Sequence, residues 1–459
     1  MDEHLNGSTD WTKEKIIEFI NREDLKYQRI ELPYGLATEG LDRKSSCDVI
    51  FSGSLKGKSV LDVGSYLGYF CLEAAQRGAS RAVGWEISEE RVRQAQTLAE
   101  IKGLPVEYVR KDIEKTEVEE QFDVVLGLNI LHHMANPISV LDRLIRLTRE
   151  ILILEMASLG HHDRAKLGIS FLKSFFVSRT PSIIAGRGST SSPFNEERKY
   201  FITQRALENM LKFQRHHFAK IEFIKSDFKN RYIVKAYKRR IKHLVIVAGP
   251  TASGKSTFID NLKTDAYPNV NKTLGVGSFQ QWDSIGANDL WKNEKTEMEG
   301  LIFHYDTLRP WGRSAKTHDR DEALHIVQGA DRTSIITVYA EPGRLKQQIQ
   351  AGEFVEKEPT TFKGKIRHLI RKALRIKICR TLFHIPFLGK RLKILSQIAR
   401  KRHYRIREIY TDPQKTKAFY KWWFDFTLQL NPNDNIIAST KDDCAIYPVE
   451  EGMKKFSIE

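Results

Sequence analysis

The chain has 459 residues, which is too long for one ordinary hydrophobic core, so we expect two domains. A hydrophobic content of 41% and an aromatic content of 10% exclude a mainly disordered protein. The four cysteines show no paired spacing of a zinc site or a disulfide framework, which favours a reduced, cytoplasmic setting. The N-terminus lacks the apolar core of a signal peptide, and no apolar run reaches the roughly 18 residues that a membrane-spanning helix needs.

The formal net charge of +16 comes from one part of the chain. Residues 361–407 contain sixteen Lys or Arg and no Asp or Glu, which equals the whole surplus of positive charge. The rest of the chain is therefore close to neutral, and the basic character belongs to a single segment.

The first half of the chain predicts alternating strands and helices. After a helical extension over residues 1–39, residues 59–65 are predicted as a buried strand and residues 67–78 as a helix that ends at a glycine. The alternation continues to the strand EILILEMA, and a last helix and a β-hairpin close this domain near Lys238. Such a pattern is typical of a parallel, doubly wound sheet, so the predicted fold class is α/β.

Small and acidic residues follow the predicted strands, at the edge where such sheets bind their ligands. The turn D-x-G-x-x-x-G after the first strand lets the backbone approach a ligand, because glycine has no side chain. Glu86 ends the second strand, where its carboxylate can accept both hydroxyls of a ribose, and Asp112 after the third strand could meet an adenine amino group. The predicted cofactor-binding residues of this half are Asp62, Gly64, Ser65, Gly68, Glu86, Asp112 and Asn129.

The order of elements, the closing hairpin and the D-x-G-x-x-x-G turn resemble class I S-adenosylmethionine-dependent methyltransferases over residues 40–238. The resemblance implies a Rossmann-like sheet with a terminal hairpin, S-adenosylmethionine as cofactor, and methyl transfer. This chain departs from the family at Tyr66, where the family usually has a glycine, which puts the path of the loop in question. A dinucleotide oxidoreductase is the alternative for this fold, but its G-x-G-x-x-G turn is absent.

The segment NILHHM follows the fourth strand, where members of this family meet their acceptor. His132 or His133 could take a proton from an acceptor hydroxyl, and each could equally be a histidine that is satisfied in a helix cap. Residues 158–200 form a long insertion before the last helix, and insertions at this point usually cover the acceptor pocket. The secondary candidates within the insertion are His161, His162 and Arg187.

The second half opens on a different glycine turn. After a short basic linker at 239–243, the predicted domain 244–459 begins with the buried strand LVIVAG, the loop G-x-x-x-x-G-K-S and a helix, which is the context of a Walker A motif. In that motif the backbone N–H groups and the helix N-terminus hold phosphates, Lys255 neutralises phosphate oxygens during catalysis, and Ser256 binds Mg²⁺. The predicted ATP-binding residues are Gly249, Ser253, Gly254, Lys255, Ser256 and Thr257.

The rest of this half resembles small-molecule kinases of the P-loop class. The strand LIFHYD ends at an aspartate, where such kinases position a carboxylate near the acceptor hydroxyl. Asp306 is therefore the predicted catalytic base and, with Ser256, a predicted Mg²⁺ ligand, while Asp283 is the alternative carboxylate. Arg309 and Arg313 could hold a phosphate or an acidic acceptor, or serve as partners in surface ion pairs. The GTPase signature N-K-x-D is absent, which favours a kinase over a switch.

The basic segment 361–407 has three interpretations. Apolar positions between 366 and 374 share one helical face, and basic residues fill much of the remainder. A basic amphipathic helix with aromatic anchors suits an anionic membrane surface, and it would also suit RNA phosphates. The third interpretation is a kinase lid whose arginines close over ATP.

We therefore expect a bifunctional enzyme that uses S-adenosylmethionine, ATP and Mg²⁺ to modify a saccharide or a lipid-linked glycan, with peripheral contact at the inner face of a membrane. In the pairing of domains only, this is similar to the methyltransferase and kinase enzymes that terminate bacterial O-antigen chains. The alternative is RNA modification, for example of tRNA, because the first half has some similarity to wobble-uridine methyltransferases. A third possibility is a nucleotide-binding scaffold without activity, against which the intact cofactor residues of both halves argue.

Overall fold

A computed structural model describes residues 11–158, 164, 167–187, 198–213, 218–308, 321–350, 412–439 and 444–458. The chain divides into two compact units, of which the first spans Met1–Arg239 with Glu294–Thr296 and the second spans Arg240–Asn293 with Glu297–Glu459. The predicted residues His161, His162, Arg309 and Arg313 and the basic segment 361–407 lie outside the described residues. Within the described residues, no helix has the length and apolar character needed to cross a membrane.

The first unit alternates strands and helices, as the sequence predicts. Its strands are β1 (Ser59–Val63), β2 (Arg81–Glu86), β3 (Val106–Arg110), β4 (Phe122–Leu128), β5 (Thr148–Ala157), β6 (Ile183–Arg187), β7 (Arg198–Ile202), β8 (Phe218–Lys225) and β9 (Arg231–Lys238). Its α-helices are α1 (Lys13–Arg22), α2 (Lys44–Ile50), α3 (Tyr69–Gln76), α4 (Glu89–Lys102), α5 (Pro137–Leu147), α6 (Phe171–Arg179) and α7 (Gln204–Phe213). The described residues of this unit also contain the 3₁₀ helices Pro33–Gly35 and Leu131–His133.

Seven of these strands form one sheet in the order β3-β2-β1-β4-β5-β9-β8. The pairs from β3 through β5 are parallel, and the hairpin β8–β9 adds two antiparallel strands beside β5. The strand order reverses between β1 and β4, so the carboxyl ends of these two strands flank the crevice in which doubly wound sheets bind ligands. The α/β class with a Rossmann-like sheet is confirmed.

Both faces of this sheet are covered, which explains why its central strands are apolar at successive positions. Val60 and Leu61 are neighbours on β1, yet each is fully buried in a different hydrophobic cluster, one on each face of the sheet. The N-terminal extension belongs to the first of these clusters, since Ile16 and Phe19 of α1 are buried in it.

The second unit has its own sheet. Its strands are β10 (Arg240–Gly249), β11 (Asp283–Gly286), β12 (Glu297–Asp306), β13 (Ala330–Tyr339), β14 (Asp434–Ser439) and β15 (Ala445–Pro448). Its α-helices are α8 (Lys255–Lys263), α9 (Pro268–Leu274), α10 (Pro342–Gln350), α11 (Pro413–Leu430) and α12 (Val449–Lys455), with 3₁₀ helices at Leu290–Lys292 and Glu322–Gly329. Strand β10 includes residues 240–243, which the sequence pattern assigned to a linker.

The second sheet has the strand order β11-β12-β10-β13-β14-β15, in which only β15 is antiparallel to its neighbour. The first strand of the unit, β10, therefore lies in the middle, with β12 on one side and β13 on the other. The turn after β10 and the end of β12 meet at one edge of this sheet.

Helix α11 covers part of this sheet with an aromatic face. Phe419, Tyr420, Trp423 and Phe424 are buried along it at helical spacing. The indole Nε1 of Trp423 donates to Oγ1 of Thr337 on β13 at 2.8 Å, so this large buried ring satisfies its one polar group.

Candidate functional site

In the turn after β1, every second residue has a left-handed backbone conformation. Gly64, Tyr66 and Gly68 have φ angles of 76°, 54° and 81°. The N–H groups of Gly64 and Ser65 donate to the carbonyl oxygen of Trp85 at 2.8 and 3.1 Å, which ties the turn to the end of β2. The predicted residues Gly64, Ser65 and Gly68 thus lie together at the carboxyl edge of the sheet.

Tyr66, the departure from the family pattern, is accommodated by its surroundings. Its ring centroid lies 4.6 Å from that of Tyr27, and the guanidinium carbon of Arg91 lies 4.5 Å from the same ring centroid. These contacts hold a non-glycine residue in a left-handed conformation that is uncommon for a bulky side chain. The loop therefore keeps its turn although the usual glycine is missing.

Tyr108 on β3 fills the space under the turn. Its hydroxyl donates to the carbonyl oxygen of Gly68 at 3.1 Å, and a Cβ atom at position 68 would lie only 2.1 Å from the tyrosine Oη. A Cβ atom at Gly84 would also meet the Tyr108 ring, at 2.6 Å. Glycine at both positions is required by this close approach.

A Gly68→Ala variant is expected to lower the apparent melting temperature of the first unit. Left-handed strain of about 1–2 kcal/mol adds to an overpacking cost of about 1–3 kcal/mol at the Tyr108 hydroxyl. Gly103 is the matched control, because it has a φ of 61° but no atom within 4 Å of the point that a Cβ would occupy, so Gly103→Ala carries the strain alone. Equal melting temperatures for the two variants in thermal denaturation would contradict the predicted clash.

Glu86 links the ends of β1 and β2 through its carboxylate. Its Oε2 accepts from the N–H of Tyr66 at 3.0 Å, and its Oε1 accepts from the N–H groups of Ile87 and Ser88 at 2.8 and 3.0 Å. Each carboxylate oxygen has more than one acceptor site, so the side chain can also accept from a diol. Asp112 lies two residues past the end of β3, where its carboxylate accepts from the N–H of Glu114 at 2.9 Å.

A small cavity opens beside this turn. It is lined by Tyr27, Gln28, Leu41, Arg43, Asp62, Gly64, Tyr66, Phe70, Leu128 and Asn129. Three of the predicted cofactor residues, Asp62, Gly64 and Asn129, are in this lining. The other four are not: Ser65, Gly68, Glu86 and Asp112. Burial and the neighbouring charge of Glu86 raise the pKa of Asp62 to about 8, and the nearby Arg43 opposes that shift.

Sequence reasoning missed three polar residues of this cavity: Tyr27, Gln28 and Arg43. The side chain of Arg43 is buried, its Nη2 donates to Oε2 of Glu155 at 2.8 Å, and its Nε has no hydrogen-bond partner among the described residues. The Oε1 of Gln28 is likewise buried and without a partner in the described part of the chain. No periodic pattern marks residues 27–43, so nothing local in the sequence distinguished these side chains from surface residues.

The fourth strand delivers the predicted acceptor-side residues. Asn129 has a φ of 61°, and its N–H donates to the carbonyl oxygen of Glu155 at 2.8 Å. His132 and His133 follow in a single 3₁₀ turn, with their ring centroids 3.9 Å apart. The structure therefore brings the two imidazoles together, three and four residues beyond a residue of the cavity.

In the second unit, the glycine turn after β10 leads directly into α8. Gly254 has a φ of 90° and caps this helix, and Lys255 is its first residue. The Nζ of Lys255 donates to the carbonyl oxygen of Pro250 at 2.6 Å, so the amine is folded back over the loop. Burial lowers the pKa of Lys255 to about 8, although the nearby Asp306 acts against this shift. Ser256 and Thr257 follow on the exposed first turn of the helix.

Two further predicted residues hold the start of this loop. A Cβ atom at Gly249 would lie 2.5 Å from Oγ of Ser253, which is the close packing that glycine permits there. The Oγ of Ser253 is buried and has no hydrogen-bond partner among the described residues.

Asp306 ends β12 directly beside the glycine turn. In the sheet it is paired with Gly249, and its Oδ2 accepts from the Thr251 hydroxyl at 2.6 Å. His304, two residues earlier, is partly buried. Its pKa is lowered mainly by this burial and also by the positive charge of the nearby Lys255. Thr251 and Lys255 of the loop thus lie near Asp306 and His304 at the end of β12.

Asp283, the alternative carboxylate, is in the wrong place for this role. It begins β11 and is paired with Leu301, five residues before Asp306 on β12. That separation is about 16 Å along a strand, so Asp283 is level with the middle of β12, and the two carboxylates cannot meet one phosphate.

The comparisons with known proteins match the first unit. Residues 60–150 match the family described as "Methyltransferase domain". The ubiquinone biosynthesis O-methyltransferase of Klebsiella pneumoniae is 34% identical over 100 residues, which cover 21% of this chain and 41% of that protein. The enzyme of the same name from Pseudomonas entomophila is 38% identical over 98 residues, covering 21% of this chain and 42% of that protein. The chain thus spans less than half the length of these curated relatives.

Two solved structures are similar to part of the chain. The N-terminal domain of EvdMO1 with SAH bound has 19% identity and a TM-score of 0.41, and the match covers 51% of this chain and 100% of that one. Magnesium protoporphyrin IX methyltransferase from Synechocystis PCC 6803 with bound SAH has 20% identity and a TM-score of 0.31, over 42% of this chain and 81% of that one.

The family match falls on the strands and helices that build the turn after β1, the Glu86 carboxylate and the Asn129 position. The order of the strands, the closing hairpin and the residues matched by the family all indicate the same kind of domain. The first unit contains a class I S-adenosylmethionine-dependent methyltransferase domain.

Proposed function

We propose that the first unit transfers a methyl group from S-adenosylmethionine to a hydroxyl of its acceptor. The observation that carries this proposal is that a buried guanidinium, Arg43, and a buried carboxyl group, Asp62, both line the cavity beside the glycine turn. The Arg43 guanidinium would hold the carboxylate of the amino acid portion, Asp62 its ammonium, and Glu86 the ribose hydroxyls. When bound, the cofactor supplies a methyl group on a positively charged sulfur.

The acceptor side of the reaction needs a proton acceptor. Methylation of a hydroxyl releases its proton, and a neutral imidazole at His132 or His133 would take it. The names of the curated relatives, which are O-methyltransferases, support a hydroxyl acceptor. Sequence similarity to those relatives covers too little of either chain to carry their substrate over.

We propose as a second function that the other unit binds a nucleoside triphosphate with Mg²⁺ and transfers a phosphoryl group. Support comes from the buried Lys255 at the start of α8, and from Asp306 beside the glycine turn. Ser256 and Asp306 would hold Mg²⁺, and Asp306 would accept the proton of the acceptor hydroxyl. Mg²⁺ takes few protein ligands alongside phosphates, so these two residues would be enough.

For the acceptor of both reactions, we propose a saccharide or a lipid-linked glycan. The support is the composition of the basic segment 361–407, whose sixteen cationic residues suit the anionic surface that carries such lipids. RNA is the other acceptor class with which this charge is compatible.

The test uses the full chain with methyl-labelled S-adenosylmethionine and γ-labelled ATP, over a cell extract that is separated into glycolipid, RNA and small-molecule fractions. We expect both labels in the glycolipid fraction. Glu86→Ala should remove only the methyl label, and Lys255→Ala only the phosphate label. Both labels in RNA would overturn the glycan proposal in favour of RNA, and label only in small molecules would assign a soluble metabolite instead.

A further inference from the structure

Glu155 on β5 is a fully buried carboxylate on which four donors converge. Its Oε2 accepts from Nη2 of Arg43 at 2.8 Å, from Nη1 of Arg231 at 3.4 Å, and from Nδ2 of Asn129. Its Oε1 accepts from the hydroxyl of Ser226 at 3.2 Å. A buried carboxylate is costly unless it is paired and hydrogen-bonded, and here both conditions are met by residues from three separate segments.

The donors divide into two groups by position. Arg43 and Asn129 line the cofactor cavity, whereas Ser226 and Arg231 belong to the hairpin that closes the sheet. Glu155 itself is not part of the cavity lining. It therefore connects the cavity wall to the rigid hairpin without reaching a ligand.

Glu155 fixes the conformations of both cavity residues, Arg43 and Asn129. Arg43 is packed between aromatic rings, with its guanidinium carbon 5.4 Å from the Phe70 centroid and 4.6 Å from the Phe228 centroid, and Glu155 is its ion-pair partner. Asn129 has a positive φ, a conformation that costs energy for a residue other than glycine. Glu155 holds Asn129 twice, through its side chain and through its backbone carbonyl oxygen.

We propose that Glu155 is a positioning residue for the amino acid portion of the cofactor, because it fixes the direction of the Arg43 guanidinium and the backbone at Asn129. This inference rests on the proposed methyl transfer and goes beyond it. Arg43 uses Nη2 for Glu155 and keeps its Nε without a partner among the described residues, so the ion pair aims the guanidinium and leaves part of it for a ligand carboxylate. Pre-organisation of this kind strengthens binding by reducing the ordering cost.

The test compares two ligands that differ only in the amino acid portion. S-adenosylhomocysteine carries that portion, whereas 5′-methylthioadenosine has the same nucleoside and thioether without it. For Glu155→Gln we expect an affinity for S-adenosylhomocysteine at least about 10-fold lower, and an affinity for methylthioadenosine within about 2-fold of wild type, by calorimetric titration of the full chain. The amide keeps the shape but turns an NH₂ group toward residues that are themselves donors.

Glu150→Gln is the matched control. Glu150 lies on the same strand and forms an ion pair with Lys58 at 2.6 Å, and neither residue lines the cavity. The same change of carboxylate to amide at this position should leave both affinities unchanged. An equal loss for both ligands in Glu155→Gln, or no loss for either, would overturn the positioning role.

A second variant covers the case in which Glu155→Gln fails to fold. Glu155→Asp keeps the charge but shortens the side chain, so we expect a smaller loss that is again confined to S-adenosylhomocysteine. Wild-type affinity in a folded Glu155→Asp would restrict Glu155 to a role in stability. If the wild-type protein binds neither ligand, the proposed methyl transfer itself is refuted. That outcome differs from a failure of the Glu155 proposal, in which the wild-type protein still binds S-adenosylhomocysteine.

Discussion

A Lys255→Ala variant is expected to lose about 100-fold in affinity for ATP with Mg²⁺, while its affinity for S-adenosylhomocysteine stays at the wild-type value. The amine is buried at the start of α8, in a low-dielectric setting where a cation interacts strongly with phosphate oxygens. Truncating one partner of a buried charge pair costs about 2–5 kcal/mol, and each 1.4 kcal/mol is about a factor of ten. Calorimetric titration of the full chain with a non-hydrolysable ATP analogue measures this loss.

The control for this variant is Lys263→Ala, at the last residue of the same helix. It removes the same side chain from α8 without touching the glycine turn, and it should bind the nucleotide as wild type does. Undiminished nucleotide binding by Lys255→Ala would refute the proposed phosphate-binding role of the loop. Loss of both ligands would contradict the independence of the two sites.

An Asp62→Asn variant is expected to bind S-adenosylhomocysteine at least about 30-fold more weakly and, when empty, to melt at a higher temperature than wild type at pH 8. The ligand loses the carboxylate that would face its ammonium, and loss of such a charge partner costs at least about 2 kcal/mol. The empty protein loses a carboxylate that burial and Glu86 disfavour in its ionised form. Titration calorimetry and thermal denaturation separate the two effects.

The pH dependence has a definite sign. The pKa of Asp62 is raised from 3.8 to about 8, so the folded protein binds this proton more tightly than the unfolded chain does. The corresponding stability is complete below about pH 4 and is lost as the pH rises to about 8. Asparagine carries no such proton, so the advantage of the variant in the free energy of unfolding should grow across this range.

Asp123→Asn provides the contrast within the same sheet. Burial acts to raise the pKa of Asp123, but hydrogen bonds from Ser59 and the ion pair with Arg149 outweigh it and hold this pKa below its ordinary value. Its contribution to stability is therefore present at neutral pH and is lost as the pH falls below about 4, so Asp123→Asn should melt at a lower temperature at pH 8. An Asp62→Asn variant that melts at a lower temperature than wild type at pH 8 would refute the prediction that the ionised Asp62 carboxylate destabilises the empty protein.

The parts of the fold that the sequence predicted are those specified by neighbouring residues. A short apolar strand followed by a glycine with positive φ and a helix recurs at Gly68 and at Gly254, and both turns have that form in the structure. The α/β class followed from this alternation. Helix α11 was missed although its buried residues recur at intervals of three and four, a helical signal that its many aromatic side chains obscured.

The candidate cofactor site was predictable only on one side. Asp62, Gly64 and Glu86 follow their strands directly, so their place at the sheet edge could be inferred. Arg43 lines the cavity, and its partner Glu155 lies 112 residues further along the chain. No local pattern encodes such a pairing. The position of Asp283 could not be inferred either, because its pairing with Leu301 on β12 is a long-range contact that only the sheet reveals.

The unfavourable ionisation of Asp62 in the empty cavity also has a consequence for the lifetime of the protein in cells. A ligand that brings positive charge into the cavity favours the ionised form of Asp62, which burial and Glu86 disfavour in the empty protein, and its binding stabilises the folded chain by mass action. When the methyl donor is scarce, a larger fraction of molecules is empty, opens more often and is exposed to proteases. The abundance of the protein would then follow the supply of its own cofactor, without any dedicated regulator.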